Sequence, residues 1–154
     1  MPEHFPDKLE TGTQNHEGIA GIRGALDFIA SLGEGGSLSE RLLDGMRNIE
    51  EYENRLAEKL RSALRETPGV TLYSAPDAVP KTPTVAFRAD GTSPRELCKR
   101  MAERGCFIGD GHFYASTVVE RPGFREEGVV RVGLAPYSTE EEVEGFVKSL
   151  RSLR

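Results

Sequence analysis

The sequence has no tryptophan, only two cysteines, and no apolar run near the roughly 20 residues that a membrane-spanning helix needs. We therefore expect no membrane partner. Cys98 and Cys106 have no second Cys or His at zinc-ligand spacing, so we expect no metal site either. Both lie among apolar neighbours, which favours small buried thiols over a disulfide framework. The polar, proline-containing start has no signal-peptide stretch, and the expected location is the cytoplasm.

An excess of basic residues is also missing. The formal net charge is -5, and Lys and Arg are interspersed with acids along the chain. Proteins that bind nucleic acid or anionic membranes usually concentrate positive charge, so we expect neither partner. The 154 residues, 37% of them hydrophobic, suffice for one compact domain and are too few for two of ordinary size.

Two N-terminal segments have helical periodicity. Residues 16–32 carry apolar side chains at three- and four-residue spacing, with Thr13 or Asn15 able to cap the start. A longer stripe runs from Leu38 to Leu64 and predicts an amphipathic helix that ends before Pro68. Both stripes are so apolar that we expect these helices to pack against something larger than a small sheet.

The remaining residues predict short strands and two more helices. The strands are predicted at 70–73, 84–88, 106–108 and 129–134. Capping boxes starting at Ser93 and Thr139 predict a helix over 94–104 and a final helix, and residues 109–114 are predicted as a loop. The fold class is therefore α/β in the α+β arrangement, a small mixed or antiparallel sheet with helices packed on one face.

Arg131 interrupts an otherwise apolar strand. Strand alternation places it on the face of Val129 and Gly133, opposite Val130 and Val132. A guanidinium there needs an anion, and two partners fit the residues. One is the carboxylate of a small-molecule substrate, which matches the guanidinium fork and has space beside Gly133. The other is an internal salt bridge to one of the many acids.

Gly12 and Thr13 precede the first predicted helix. Backbone N–H groups, a hydroxyl and the positive end of the helix dipole together make a workable phosphate site. The same residues also suit an ordinary helix cap, and both interpretations stay open at this point.

His112 lies in the glycine-rich run 109–114, which also contains an acid and a phenol, a composition common in binding-site loops. Its imidazole can act as acid or base near neutral pH. His4, His16 and His112 share no spacing pattern, so a satisfied or solvated histidine is the alternative for each.

Two segments resemble the class V aminotransferases and cysteine desulfurases. Residues 10–21 read ETGTQNHEGIAG, which is similar to the Gly-Thr-x-Asn segment that opens the C-terminal part of these enzymes. Residues 130–143 read VRVGLAPYSTEEEV, which resembles the closing segment, where a strand arginine precedes a Tyr-Asn-Thr-Glu-Glu helix start. Ser138 stands where Asn is usual. The motifs occur in the family's order, and the resemblance covers nearly the whole chain.

The resemblance implies a domain organisation and a set of roles. Residues 1–15 would be a leading segment with the Gly-Thr-x-Asn motif, and residues 16–154 the C-terminal domain of a fold-type I enzyme dependent on pyridoxal phosphate. Thr13, with Gly12, would contact the cofactor phosphate, in these dimers usually that of the partner subunit. Arg131 would bind the carboxylate of an amino-acid-like substrate, with His112 as a second substrate-binding candidate.

The chain also departs from the family pattern. Tyr114 stands at the position of the sulfur-carrying cysteine of desulfurases, and a phenol cannot form a persulfide. The cofactor lysine belongs to the family's large domain, which is absent here, so we expect no catalysis by the chain alone and a homo-oligomer or large-domain partner. Two alternatives remain: a non-catalytic dimerisation or interaction module derived from the family, and an unrelated α+β ligand-binding domain.

Overall fold

The computed structural model describes residues 3–10, 12–115, 117, 120–121 and 123–153. It divides into two compact units, residues 1–49 and 50–154. The first contains a short 3-10 helix, Asp7–Leu9, then helix α1, His16–Ser31, and the first turns of helix α2, Leu38–Arg65.

Helix α1 begins and ends as predicted. The side chain of Asn15 accepts a hydrogen bond from the N–H of Gly18 at 2.8 Å, and Leu32 ends the helix. Two glycines let α1 and the start of α2 approach closely. A Cβ on Gly45 would lie 2.1 Å from the Ile29 carbonyl oxygen, and one on Gly33 would lie 2.1 Å from a carbonyl oxygen of α2. Backbone therefore packs on backbone in this unit.

The second unit is built on a four-stranded antiparallel sheet. Its strands are β1, Val70–Tyr73, β2, Thr84–Ala89, β3, Gly109–Gly111, and β4, Val129–Gly133. Their order across the sheet is β1-β2-β4-β3, and every neighbouring pair is antiparallel. This confirms the antiparallel form of the predicted small sheet.

The core lies on one face of this sheet. Phe87, Val130 and Val132 point into it and are buried. The helices α2, α3, Pro94–Ala102, and α4, Glu140–Ser152, contribute the other buried side chains. These are Leu60 and Leu64 from α2, Leu97 and Met101 from α3, and Val143, Phe146 and Leu150 from α4. The helices therefore pack on one face, as expected from the sequence, and leave the opposite face for other contacts.

The predicted capping box is complete at α4, and at α3 half of it is formed. Thr139 and Glu142 form a complete capping box at the start of α4, with Thr139 N–H donating to the Glu142 carboxylate at 2.8 Å. At α3 the Ser93 hydroxyl accepts a hydrogen bond from the N–H of Glu96. None of the helices in the described part of the chain combines the length and apolarity needed to cross a bilayer.

The prediction of the third strand was wrong. The structure places β3 at Gly109–Gly111, inside the predicted loop, and not at 106–108. Cys106 N–H donates to the Met101 carbonyl oxygen at 3.0 Å, so this residue closes the turn that follows α3 and is not part of a strand. The β3 backbone pairs with 129–131 of β4, and this pairing defines the strand despite its two glycines.

Candidate functional site

The candidate site lies on the sheet face opposite the helices. Arg131 is exposed while Val130 and Val132 beside it are buried, which is the alternation predicted for β4. In register, Arg131 pairs with Ala86 of β2 and with Gly109 of β3. Because directly paired residues point the same way, this face carries Arg131 near the middle of the sheet.

A second arginine on the same face, Arg88, is bonded to the loop between β3 and β4. Arg88 donates to the Gly128 carbonyl oxygen at 2.6 Å and to the Glu127 carboxylate. Its guanidinium carbon lies 4.2 Å from the centroid of the Phe124 ring, which also packs edge-on against Tyr73 at 5.5 Å. Arg88 therefore anchors the loop to the sheet and is not available for a ligand.

Arg131 is stacked but unpaired within the described residues. Its guanidinium carbon lies 3.8 Å from the centroid of the Phe113 ring. No carboxylate among the residues that the structure describes comes within ion-pair distance of it, so the alternative of an internal salt bridge is not formed there. Open space surrounds the α-carbon of the neighbouring Gly133, because a Cβ built there meets no atom within 4 Å. The guanidinium edge can thus receive an anion.

His112 and Tyr114 sit beside this stack in a strained turn. The N–H of Tyr114 donates to Nδ1 of His112 at 3.2 Å, and the two rings lie 6.4 Å apart, edge to face. Phe113 and Tyr114 have φ angles of 50° and 60°, in the left-handed region that non-glycine residues avoid. Both His112 and Tyr114 are exposed, so the structure places the histidine in solvent beside the arginine stack.

Gly12 and Thr13 lie in the first unit, just before α1. Both are exposed, and a Cβ built on Gly12 meets no atom within 4 Å. The cap of α1 is supplied by Asn15, so the Thr13 hydroxyl is not used for capping. The structure thus leaves Thr13 exposed at the start of α1, and its contact with a phosphate stays a prediction.

The lysines with described contacts are engaged as cations. Lys59 is hydrogen-bonded to Glu140 at 2.8 Å and to Glu144 at 2.6 Å, and these bonds raise its pKa to about 12. Lys81 donates to two backbone carbonyl oxygens, those of Pro76 and Val79. The raised pKa of Lys59 is the opposite of what an uncharged, cofactor-attaching amine requires.

The two cysteines differ in environment. Burial, reinforced by the Asp110 carboxylate, raises the pKa of the Cys98 thiol to about 11. Cys106 is half-buried and lines a cleft of about 400 Å³ between the end of α3 and α4. The described residues contain no cluster of His, Cys, Asp and Glu that could hold a metal ion.

Sequence reasoning singled out Arg131 and His112 but missed the aromatic residues that contact the arginines. Phe113 and Phe124 lie in a loop without periodicity, where a lone aromatic residue has no local signal. Arg88 had one available signal. It falls on the same alternating face of β2 as Ala86, in a strand whose other face is wholly apolar.

The fold is that of an α+β domain of fold-type I enzymes, with helices on one face of an antiparallel sheet and a strand arginine on the other. Residues 2–146 match the family model described as Aminotransferase class-V. The chain belongs to this family, whose enzymes in general depend on pyridoxal phosphate.

Relatives and solved structures agree with this assignment. The chain is 33% identical to an uncharacterized protein of Mycobacterium tuberculosis, covering 96% of the chain and 37% of that protein. It is 28% identical to a cysteine desulfurase of Escherichia coli, covering 96% and 32%. The chain therefore spans about a third of the length of these curated relatives.

Two solved cysteine desulfurases share the fold. The crystal structure of CsdA from Escherichia coli, in an S-sulfonic acid form, aligns with a TM-score of 0.73 at 25% identity, covering 96% of this chain and 32% of that one. The apo enzyme of Thermococcus onnurineus aligns with a TM-score of 0.77 at 23% identity, covering 96% and 33%.

Proposed function

We propose that this chain acts as the C-terminal domain of an enzyme dependent on pyridoxal phosphate and resembling the cysteine desulfurases. In this role Arg131 binds the carboxylate of an amino-acid-like substrate. Thr13, with Gly12, contacts a cofactor phosphate across a dimer, that of the partner subunit. The chain is not catalytic alone. The cofactor, when bound, acts as an electron sink for carbanions, and in this family the lysine that attaches it lies in the large domain.

The observation that carries the proposal is the state of Arg131. Its guanidinium is exposed on the open sheet face, stacked on Phe113, and without an ionic partner among the described residues. A charged group in this state binds a carboxylate through two parallel N–H···O hydrogen bonds, a stronger contact than one between neutral groups. Arg88 lies on β2, two residues after the partner of Arg131, Ala86. It is already bound to Glu127 and supports no comparable role.

His112 is proposed to contact the substrate through its Nε2 atom. Nδ1 accepts the N–H of Tyr114, so the neutral imidazole carries its proton on Nε2. That nitrogen can donate a hydrogen bond to a substrate oxygen near Arg131. Tyr114 cannot carry sulfur, because a phenol oxygen forms no persulfide, so sulfur transfer through this loop position is not part of the proposal.

Complementation tests the proposal. The full chain would be mixed with pyridoxal phosphate, alone and with the separately produced large domain of a related cysteine desulfurase, and followed by visible absorbance and amino-acid turnover. We expect turnover only in the mixture. Arg131→Lys should raise the substrate KM by at least tenfold because the bidentate contact is lost. Arg95→Ala removes another exposed arginine and serves as the matched control.

Turnover of the mixture unaffected by Arg131→Lys would remove Arg131 from the site. Turnover by the chain alone, with the cofactor attached to one of its own lysines, would contradict the proposal that catalysis needs the large domain.

The second candidate is a non-catalytic interaction module. The first unit exposes large apolar side chains, with Ile22 63% and Leu43 60% accessible. Exposed apolar clusters mark interaction surfaces. Light scattering tests this candidate, since a strict monomer at high concentration argues against it. A discrete dimer is compatible with both candidates, and one that Ile22→Glu disperses without lowering turnover in the complementation mixture would favour the module.

A further inference from the structure

The ring of Phe113 is held between Arg131 and the backbone of β3. Its centroid lies 3.8 Å from the Arg131 guanidinium carbon. A Cβ built on Gly109 would lie 3.2 Å from Cε1 and 3.3 Å from Cζ of the same ring. Because Gly109 and Arg131 pair directly across β3 and β4, the ring occupies the place that a side chain at position 109 would take.

The backbone at Phe113 is arranged to deliver the ring to this position. Its φ of 50° is unfavourable for a residue with a Cβ, and such conformations persist only where the surroundings impose them. The turn is closed by two hydrogen bonds to His112, from Tyr114 N–H to Nδ1 and from Ala115 N–H to the carbonyl oxygen at 2.8 Å. Phe113 is half-buried while both of its loop neighbours are exposed.

We propose that Phe113 is a positioning residue that orients the Arg131 guanidinium for carboxylate binding. The inference rests on the proposed function, which assigns Arg131 to the substrate carboxylate. A free arginine side chain loses rotamer entropy when it is fixed by a ligand. Stacking on the ring fixes the guanidinium plane beforehand and leaves its N–H edge free, since a carboxylate binds in that plane and the ring lies on its face.

Gly109 has a defined part in this arrangement. A Cβ at 3.2 to 3.3 Å from the ring is tighter than ordinary contact, so the ring must shift if position 109 carries a side chain. Gly109 and Phe113 together thus fix the orientation of the Arg131 guanidinium plane. The favoured substrate should be one whose carboxylate can lie in that plane.

The test uses the full chain with acetate as the probe. The Nε–H signal of Arg131 is followed by NMR through a titration with sodium acetate, in the unmodified chain and in the Phe113→Leu, Phe113→Tyr and Gly109→Ala variants. The unmodified chain should show an Nε–H shift displaced by the ring and a saturable response to acetate. Phe113→Leu should lose the displacement and bind acetate about two- to tenfold more weakly, because binding must then fix a guanidinium that stacking no longer holds in place.

The conservative variants separate positioning from folding. Phe113→Tyr keeps an aromatic face and should bind acetate as the unmodified chain does. Gly109→Ala retains Phe113 but displaces its ring, so it should weaken acetate binding less than Phe113→Leu does. If Phe113 contributed to folding alone, these variants would differ in thermal stability. Their acetate affinities would not fall in the order expected here, from Phe113→Tyr through Gly109→Ala to Phe113→Leu.

Arg131→Met separates the proposed function from the positioning role. Because this variant has no Arg131 Nε–H, acetate binding is followed in it, and in the unmodified chain for comparison, through the backbone amide signals of Gly109 and Gly133. If this variant binds acetate as well as the unmodified chain, Arg131 is not the carboxylate site, and the proposed function and this inference fail together. If Arg131→Met abolishes binding while Phe113→Leu matches the unmodified chain, the proposed function stands and the positioning role is overturned.

Discussion

Gly128 packs directly against the backbone of Gly111. A Cβ built on Gly128 would lie 2.2 Å from the carbonyl carbon of Gly111 and 2.5 Å from its α-carbon. Both residues have positive φ, 68° at Gly128 and 123° at Gly111. This contact closes the base of the loop that carries His112 and Phe113, so the geometry of the candidate site depends on two residues without side chains.

Substitution of Gly128 should therefore lower the free energy of unfolding by more than its left-handed backbone conformation alone explains. Gly128→Ala adds a clash with Gly111 to the roughly 1–2 kcal/mol penalty of a left-handed non-glycine residue. Gly91 is the matched control, because it has a similar φ of 71° and nothing within 4 Å of a built Cβ. We expect the free energy of unfolding, measured by urea denaturation, to fall distinctly more for Gly128→Ala than for Gly91→Ala. Equal losses would mean that the contact with Gly111 is readily relieved.

Phe87 supports the sheet from the core side. It is fully buried at the centre of β2 and packs edge-on against Phe146 of α4, with ring centroids 6.3 Å apart. Phe87→Ala should lower the free energy of unfolding by about 3–5 kcal/mol. Phe107→Ala serves as the control, because this residue is 86% exposed and its loss should change stability by less than about 0.5 kcal/mol. A similar loss for both variants in denaturant titrations would contradict the position assigned to the core.

The parts of this fold that could be predicted from the sequence are those determined by neighbours in the chain. The periodic stripe of α2 and the Thr139 capping box involve residues within a few positions of each other, and both are found as expected. The exposure of Arg131 also follows from local alternation along β4.

The parts that could not be predicted depend on distant partners. Gly109–Gly111 has poor intrinsic strand propensity and becomes a strand only because β4 offers it a pairing edge. The stack of Phe113 on Arg131 joins residues far apart in sequence. It also requires a positive φ at Phe113, which a phenylalanine in the sequence does not predict. The candidate arginine was therefore visible in the sequence, whereas the residue that orients it was not.

The ion pair of Lys59 with Glu140 makes a prediction about pH. The hydrogen bond from Lys59 holds the pKa of the Glu140 carboxyl below its ordinary value of 4.5. A depressed folded-state pKa means that the pair's stabilisation is present above the ordinary pKa and is lost as pH falls through the folded-state pKa. Lys59→Met should raise the Glu140 pKa toward 4.5 in a carboxyl NMR titration. Lys99→Met is the control with an exposed lysine, and an unchanged Glu140 in both variants would show that the pair does not persist in solution.

The two thiols should differ sharply in reactivity. At pH 8 Cys98 is almost wholly protonated, because burial raises its pKa to about 11, and its side chain is also shielded from reagent. Cys106 lines an open cleft and lacks that shielding. An aromatic disulfide reagent should therefore modify one thiol quickly in the native chain and the second only after unfolding in guanidinium. Cys106→Ser should abolish the fast phase, and Cys98→Ser should leave it intact. A fast phase that survives in Cys106→Ser would place Cys98 at the surface and would contradict the packing of α3 against the sheet.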